Sequence, residues 1–140
     1  MKINEIMTTD VEVVPPDSSI RDAAQKMAKL DVGALPVCDG ERLIGMLTDR
    51  DIAVRAVAEG RDPDSTTVRD CMSPKIIYCF EDQSLEEARQ VMEEKQIRRL
   101  PVISRDKQLV GILAIGDLAI KTDEIRQVGQ TLQEISQPAA

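Results

Sequence analysis

The chain has 140 residues, with 18 Lys+Arg against 25 Asp+Glu for a formal charge of −7 and no histidine. That length holds one compact domain or two very small ones, and the acidic balance excludes a protein that coats nucleic-acid phosphates, which needs a basic face. The absence of histidine removes Ser-His-Asp and Cys-His nucleophile systems and every His-ligated metal site.

From the N-terminus, Ile3-x-x-Ile6-Met7 is a short apolar lead-in. Residues 11–14 form a β-prone run that Pro15-Pro16 stops. Ser18 or Ser19 caps a helix whose apolar positions Ile20, Ala23, Ala24 and Met27 follow helical spacing. Leu35-Pro36-Val37-Cys38 reads as a strand with its proline at the start or on an edge. Asp39-Gly40 is a hairpin signal, and residues 43–47 are the next strand. A helix over residues 49–58 places Ile52, Ala53, Ala56 and Val57 on one face. Residues 60–67 are a polar linker. Beyond it the spacing predicts a strand at 76–79, a helix at 84–95, strands at 100–103 and 109–114, and a helix from about Asp117. Ile125, Val128, Leu132 and Ile135 then mark an amphipathic tail helix over 123–136, and residues 137–140 read as a frayed end.

The elements recur because the sequence does. Residues 3–59 lie over 68–124 with one offset of 65, so that Met7 falls on Met72 and Leu35-Pro36-Val37 on Leu100-Pro101-Val102. After the Pro-Val pair the second copy gains one residue. Leu43-Ile44-Gly45-Met46-Leu47 then meets Leu109-Val110-Gly111-Ile112-Leu113, and Asp51 meets Asp117. Each copy reads β-α-β-β-α, an α/β chain of the α+β type. A unit near 60 residues buries too little alone, so the two repeats are expected to pack as one body. The division is 1–66 for the first repeat with its lead-in and linker, 67–122 for the second, and 123–140 for the tail.

Candidate chemistry concentrates at Gly45-Met46-Leu47-Thr48-Asp49-Arg50-Asp51, a strand running into a helix N-terminus. Such a junction offers unpaired N–H groups to an anion. Thr48 offers a hydroxyl to phosphate, Asp51 two acceptors to a ribose diol, and Arg50 a charged fork. The same Thr48-x-x-Asp51 pattern is equally a capping box that only satisfies helix-terminal amides. In the second copy Ala114 replaces the threonine and Gly116 the arginine, while Asp117 is kept. Arg98-Arg99 precedes the second Leu-Pro-Val, where the first copy has Gly33-Ala34; guanidinium groups suit phosphate. No P-loop or dinucleotide fingerprint occurs. Cys38, Cys71 and Cys79 include no C-x-x-C pair, and Cys38 and Cys79 read as small buried hydrophobes. Met7 and Met72 read as core residues.

The doubled pattern of Ile-x-x-Ile-Met, Leu-Pro-Val and Gly-x-x-Thr-x-x-Asp resembles a tandem pair of CBS domains, a Bateman module, over roughly residues 3–122. Val32 to Val37 with Thr48 to Ile52 is similar to the stand-alone bacterial two-CBS proteins. The resemblance implies two repeats packed about a pseudo-two-fold axis, with clefts that take adenosine-containing ligands. AMP, ADP and ATP lead, with S-adenosylmethionine or NAD as further candidates; no cofactor is required. It maps the ribose-binding acid onto Asp51 and Asp117 and the phosphate-contacting hydroxyl onto Thr48. Adenine falls beside Val13, Val14 and Pro36 in one seat and Ile77, Tyr78 and Pro101 in the other. It places Arg98 or Arg99 to meet phosphate, which favours the Asp51 seat. The expectation is thus a non-enzymatic sensor that signals in trans to an unknown effector protein. It forms a homodimer through its helices, works in the cytoplasm, and binds neither nucleic acid nor membrane. The rival from another class is a structural protein with vestigial clefts.

Overall fold

The computed structural model describes residues 1–138. Each repeat is built on an antiparallel hairpin. In the first, β1 (Ala34–Asp39) pairs with β2 (Arg42–Thr48), Leu35 opposite Leu47 and Val37 opposite Gly45. The turn closes at Gly40, whose φ of 64° is cheap only without a Cβ. Along β2, Leu43, Gly45 and Leu47 are buried while the residues between them are more open, the alternation of a half-buried strand. The second hairpin, β4 (Arg99–Ile103) with β5 (Leu109–Ala114), repeats this register: Leu100 opposite Leu113 and Val102 opposite Gly111.

A helix precedes each hairpin. α1 (Ile20–Leu30) starts at Ser19, whose hydroxyl accepts from the Asp22 N–H, and buries Ile20, Ala23 and Met27. α4 (Leu85–Lys95) starts at Ser84 in a capping box with Glu87 and buries Leu85, Ala88 and Met92. The equivalent residues Asp31 and Gln96 end the two helices in the left-handed conformation.

The first strand of each repeat is shorter than the sequence suggests. β3 is only Cys79–Phe80, parallel to β4, and the 11–14 run contributes only a Val14–Val37 bridge. Proline explains the difference between the copies. The Glu81 N–H donates to the Ile103 carbonyl and extends the second ladder. Its counterpart in the first repeat is Pro16, which has no N–H to donate.

The chain divides into two compact units that do not follow the repeat order. One contains Glu12–Ile76; the other contains Met1–Val11 with Ile77–Ala140. Each lead-in therefore belongs to the hairpin of the other repeat. Residues 3–5 form a single turn whose Ile3 and Asn4 N–H groups donate to the Gln83 and Glu81 carbonyls. In the same way, Val68 and Arg69 of α3 (Val68–Cys71) donate to the Ser18 and Pro16 carbonyls. Thr8 then pairs with Ile112, and Ser73 with Met46. A bare glycine makes room at each crossing: Gly45 faces Met72, and Gly111 faces Met7. Both methionines are partly buried and pack on the core of their unit.

After β2, α2 (Asp49–Ile52) continues as a π-helical segment, Ala53–Val57, where the Ala58 N–H reaches the Ala53 carbonyl. The wider turn rotates the apolar stripe. Ala56 is fully buried, whereas Val57 is 71% exposed, so the expected face of Ile52, Ala53, Ala56 and Val57 is split. Its counterpart α5 (Ile115–Lys121) stays α-helical and buries Leu118. The tail helix α6 (Ile125–Ile135) packs on α4 through Val128, Thr131 and Ile135. There the fully buried Thr131 hydroxyl donates to Glu93 at 2.8 Å, and Gln96 donates to the Glu134 and Gln137 carbonyls. The remainder of the expected frayed end, residues 139 and 140, lies outside the described residues. No helix among the described residues is long and apolar enough to cross a membrane.

Candidate functional site

Two equivalent junctions carry the expected acids, one in each compact unit. In the Glu12–Ile76 unit, Thr48 ends β2 and opens α2. Its N–H donates to Asp51 Oδ2 at 2.9 Å, and its hydroxyl accepts from the Asp51 N–H at 3.0 Å. The capping box is therefore formed. It uses one carboxylate oxygen and leaves Asp51 Oδ1 without a hydrogen bond or ion pair among the described residues. Arg50 is exposed beside it. Val14 and Pro36 lie together, because the Val14 N–H donates to the Pro36 carbonyl at 3.0 Å. Val13 is half-buried, and its carbonyl accepts from Lys26 Nζ at 2.6 Å.

In the other unit, Asp117 Oδ2 accepts the Ala114 N–H at 2.9 Å, half a capping box made without a threonine. Its Oδ1 is also engaged. Lys121 Nζ stands 3.3 Å away, and the Thr8 hydroxyl donates to the same oxygen at 3.4 Å. Arg99 is the ladder partner of Ala114, and the Arg98 carbonyl accepts the Ile115 N–H, so the exposed arginine pair borders this junction. Pro101 is buried opposite Ile112. Ile77 and Tyr78 are exposed to 37% and 38%. The Tyr78 ring meets Phe80 edge-on at 5.6 Å, and the Arg105 guanidinium lies 4.0 Å over the Phe80 ring. Arg105 also forks onto Asp82 at 2.8 and 3.0 Å, which holds that exposed carboxyl below its ordinary range.

Thr8 and Lys121 are absent from the residues the sequence singles out. Lys121 answers to Arg55 at the end of the same helix in the other repeat, and Thr8 to Ser73. Paired basic and hydroxyl residues at the repeat offset were the available signal. The three cysteines are buried and free. Burial pushes the Cys38 and Cys79 thiols up to about 11 and raises that of Cys71.

The repeated hairpin, the swapped lead-ins and the acid at each strand-to-helix junction define a tandem CBS protein. A model of the CBS domain matches residues 3–57 and 68–121, and the chain belongs to that family, a class of regulatory modules. Among individual relatives, the CBS domain-containing protein YhcV of Bacillus subtilis is 44% identical over 134 residues, 96% of this chain and 94% of its own. Hypoxic response protein 1 of Mycobacterium tuberculosis is 41% identical over 137 residues, 97% of this chain and 94% of its own. A crystal structure of that protein with two coordinated zinc ions has a TM-score of 0.78 over 87% of this chain and 99% of that one. The crystal structure of CBSX2 in complex with AMP has a TM-score of 0.75 at 30% identity, over 89% of this chain and 98% of that one. The donor set here does not fit zinc. The sequence has no histidine, and no group of three or more His, Cys, Asp or Glu side chains comes together among the described residues.

Proposed function

We propose that the protein is a non-enzymatic sensor that binds an adenosine-containing ligand of the AMP, ADP or ATP class, with Asp51 as the ribose acceptor. The observation that carries this reading is the Asp51 carboxylate: one oxygen is locked by the Thr48 amide, so its direction is set, and the other is left to accept from a diol. An acceptor already oriented loses little freedom when a ligand arrives. Thr48 and Arg50 supply polar contacts to phosphate at this junction, whereas Arg98 and Arg99 border the Asp117 junction of the other unit. Val14 and Pro36 give an apolar edge for the base. The AMP complex of CBSX2 supports the ligand class. S-adenosylmethionine and NAD share the adenosine group and belong in the same test.

Signalling goes in trans, to an effector protein or through self-association. Val54 and its counterpart Ile120 are 49% and 85% exposed, and Val57 beside Val54 is 71% exposed, so each unit carries an exposed apolar helix position for the proposed self-association. Ala23, Met27 and Ala56, on the apolar helix faces, fill the core of their own unit. A ligand moves such an equilibrium only by its differential affinity for the two states.

The test is a thermal-unfolding panel with AMP, ADP, ATP, NAD and S-adenosylmethionine. Ligand at 100 times its Kd adds about 2.7 kcal/mol of stability, or roughly 5–10 °C for a chain this size. Adenine nucleotides are expected to raise the midpoint. A flat panel up to millimolar concentration favours the structural protein with vestigial clefts.

A further inference from the structure

The two acids are equivalent by sequence and by position at the end of a hairpin, but their surroundings differ. At the end of the helix after each acid stands a basic residue. In the Glu12–Ile76 unit it is Arg55, whose Nη1 donates to the Cys71 and Met72 carbonyls at 3.1 Å each. Nη1 is thereby engaged at the end of the incoming lead-in, and no ion pair joins Arg55 to Asp51 among the described residues. In the other unit the residue is Lys121. Its ammonium donates to the Ile6 carbonyl at 3.0 Å, the matching place on the other lead-in, and also stands 3.3 Å from Asp117 Oδ1. One donor group thus serves two acceptors. The hydroxyls differ in the same sense: Thr8 donates to Asp117, whereas Ser73 donates to the Lys75 carbonyl. The Asp117 side chain is only 15% exposed.

From this we infer that Lys121 and Thr8 close the Asp117 carboxylate to a ribose diol, so that the chain takes one nucleotide, at Asp51, and Lys121 determines that stoichiometry. The inference rests on the nucleotide-binding reading above. A diol is a donor to the carboxylate, and both Asp117 oxygens already have donors: the Ala114 amide on one, Lys121 and Thr8 on the other. A neutral diol displaces a charge-assisted contact at a net loss, whereas at Asp51 it meets an oxygen with no partner to lose. The closure is built from the lead-in and the helix that the lead-in packs on, so it belongs to the folded unit.

The experiment is calorimetric titration of the whole chain with AMP, in the wild type, in the Lys121→Met/Thr8→Val double variant and in Lys121→Arg. Both replacements in the double variant keep the apolar part of the side chain. Lys121→Arg keeps the charge and controls for local disruption. The wild type and Lys121→Arg are expected to bind one AMP per chain. The double variant is expected to bind a second, with affinity for the Asp117 seat raised at least about tenfold. Two equal sites in the wild type overturn this inference and leave the nucleotide reading standing. Loss of AMP binding in the double variant, with its unfolding midpoint unchanged, also overturns it, because Lys121 would then be a ligand contact. No binding by any of the three proteins overturns both readings.

Discussion

Replacing Gly111 with alanine probes the crossing of lead-in and hairpin. A Cβ at this position stands 2.6 Å from Met7 Sδ and 2.9 Å from the Thr8 carbonyl oxygen. Packed heavy atoms sit at about 3.5–4.0 Å, so the added methyl intrudes by roughly 1 Å. The methionine sulfur ends a flexible chain and can swing aside. The Thr8 carbonyl cannot, because it accepts the Ile112 N–H at 2.9 Å while its own amide donates back to the Ile112 carbonyl at 2.9 Å. Relief therefore means overpacking strain of about 1–3 kcal/mol or the loss of one bridge bond at about 1 kcal/mol. The stiffer unfolded chain returns about 0.4–1 kcal/mol, which leaves a net destabilisation of about 1 kcal/mol and at most about 2.5 kcal/mol. Gly45→Ala faces Met72 Sδ at 2.8 Å and the Ser73 carbonyl at 2.9 Å, and is expected to behave alike. Gly129→Ala is the opposite case. It lies inside α6 with nothing within 4 Å of its Cβ, so alanine gains about 0.5–1 kcal/mol. Urea unfolding followed by circular dichroism compares the three variants with the wild type. A Gly111→Ala protein as stable as the wild type, or shifted in the same direction as Gly129→Ala, refutes the close-approach argument.

Thr131→Val removes the buried hydroxyl between α6 and Glu93 and is expected to cost about 1–2 kcal/mol. Hydrogen exchange in α6 should quicken, and unchanged exchange there counts against a stabilising role for the Thr131–Glu93 hydrogen bond. Cys38 and Cys79, with thiols near 11, are expected to resist a disulfide reagent at pH 8 in the folded protein, and all three cysteines to react once it unfolds; fast labelling of Cys38 or Cys79 in the folded chain contradicts their burial. The same raised values set a pH dependence. A thiol whose pKa is higher in the folded state stabilises fully below its unfolded value of 9.0 and loses that contribution as pH rises towards about 11. The unfolding midpoint is thus expected to fall between pH 9 and 11, and Cys38→Ser/Cys79→Ser should flatten the decline; an equal decline in that variant assigns it to other groups.

Local signals made much of this fold legible. Ser19 and Ser84 stand one residue before the apolar spacing of α1 and α4, and Asp39-Gly40 before the return strand, so caps and turn follow from neighbouring residues alone. The partner of each lead-in was not legible. Ile3-x-x-Ile6-Met7 and Val68-x-x-Cys71-Met72 carry nearly the same apolar pattern, and only their position along the chain distinguishes the two hairpins they join. The contact of Asp117 with Thr8 depends on that pairing, which is why it escaped a reading of the Gly-x-x-Thr-x-x-Asp motif by itself, whereas Lys121 stands four residues further along the same helix, a spacing the sequence does show. The π-helical turn after Ile52 was equally hidden, since Ala53, Ala56 and Val57 satisfy an ordinary helical stripe until the turn widens. Thr48 and Asp51 serve both readings of their motif: they form the capping box, and one carboxylate oxygen remains for a ligand.

Calorimetric titration of AMP into the wild type, Asp51→Ala and Asp117→Ala decides whether Asp51 is the ribose acceptor. Asp51→Ala also removes the acceptor of the Thr48 amide in the capping box, a loss of about 1 kcal/mol to be followed in parallel by thermal unfolding so that folded protein is compared with folded protein. The wild type is expected to bind AMP, Asp51→Ala to abolish the binding, and Asp117→Ala to leave it within about threefold, since less than 1 kcal/mol separates constants that close. Binding that survives Asp51→Ala and disappears in Asp117→Ala contradicts that role for Asp51.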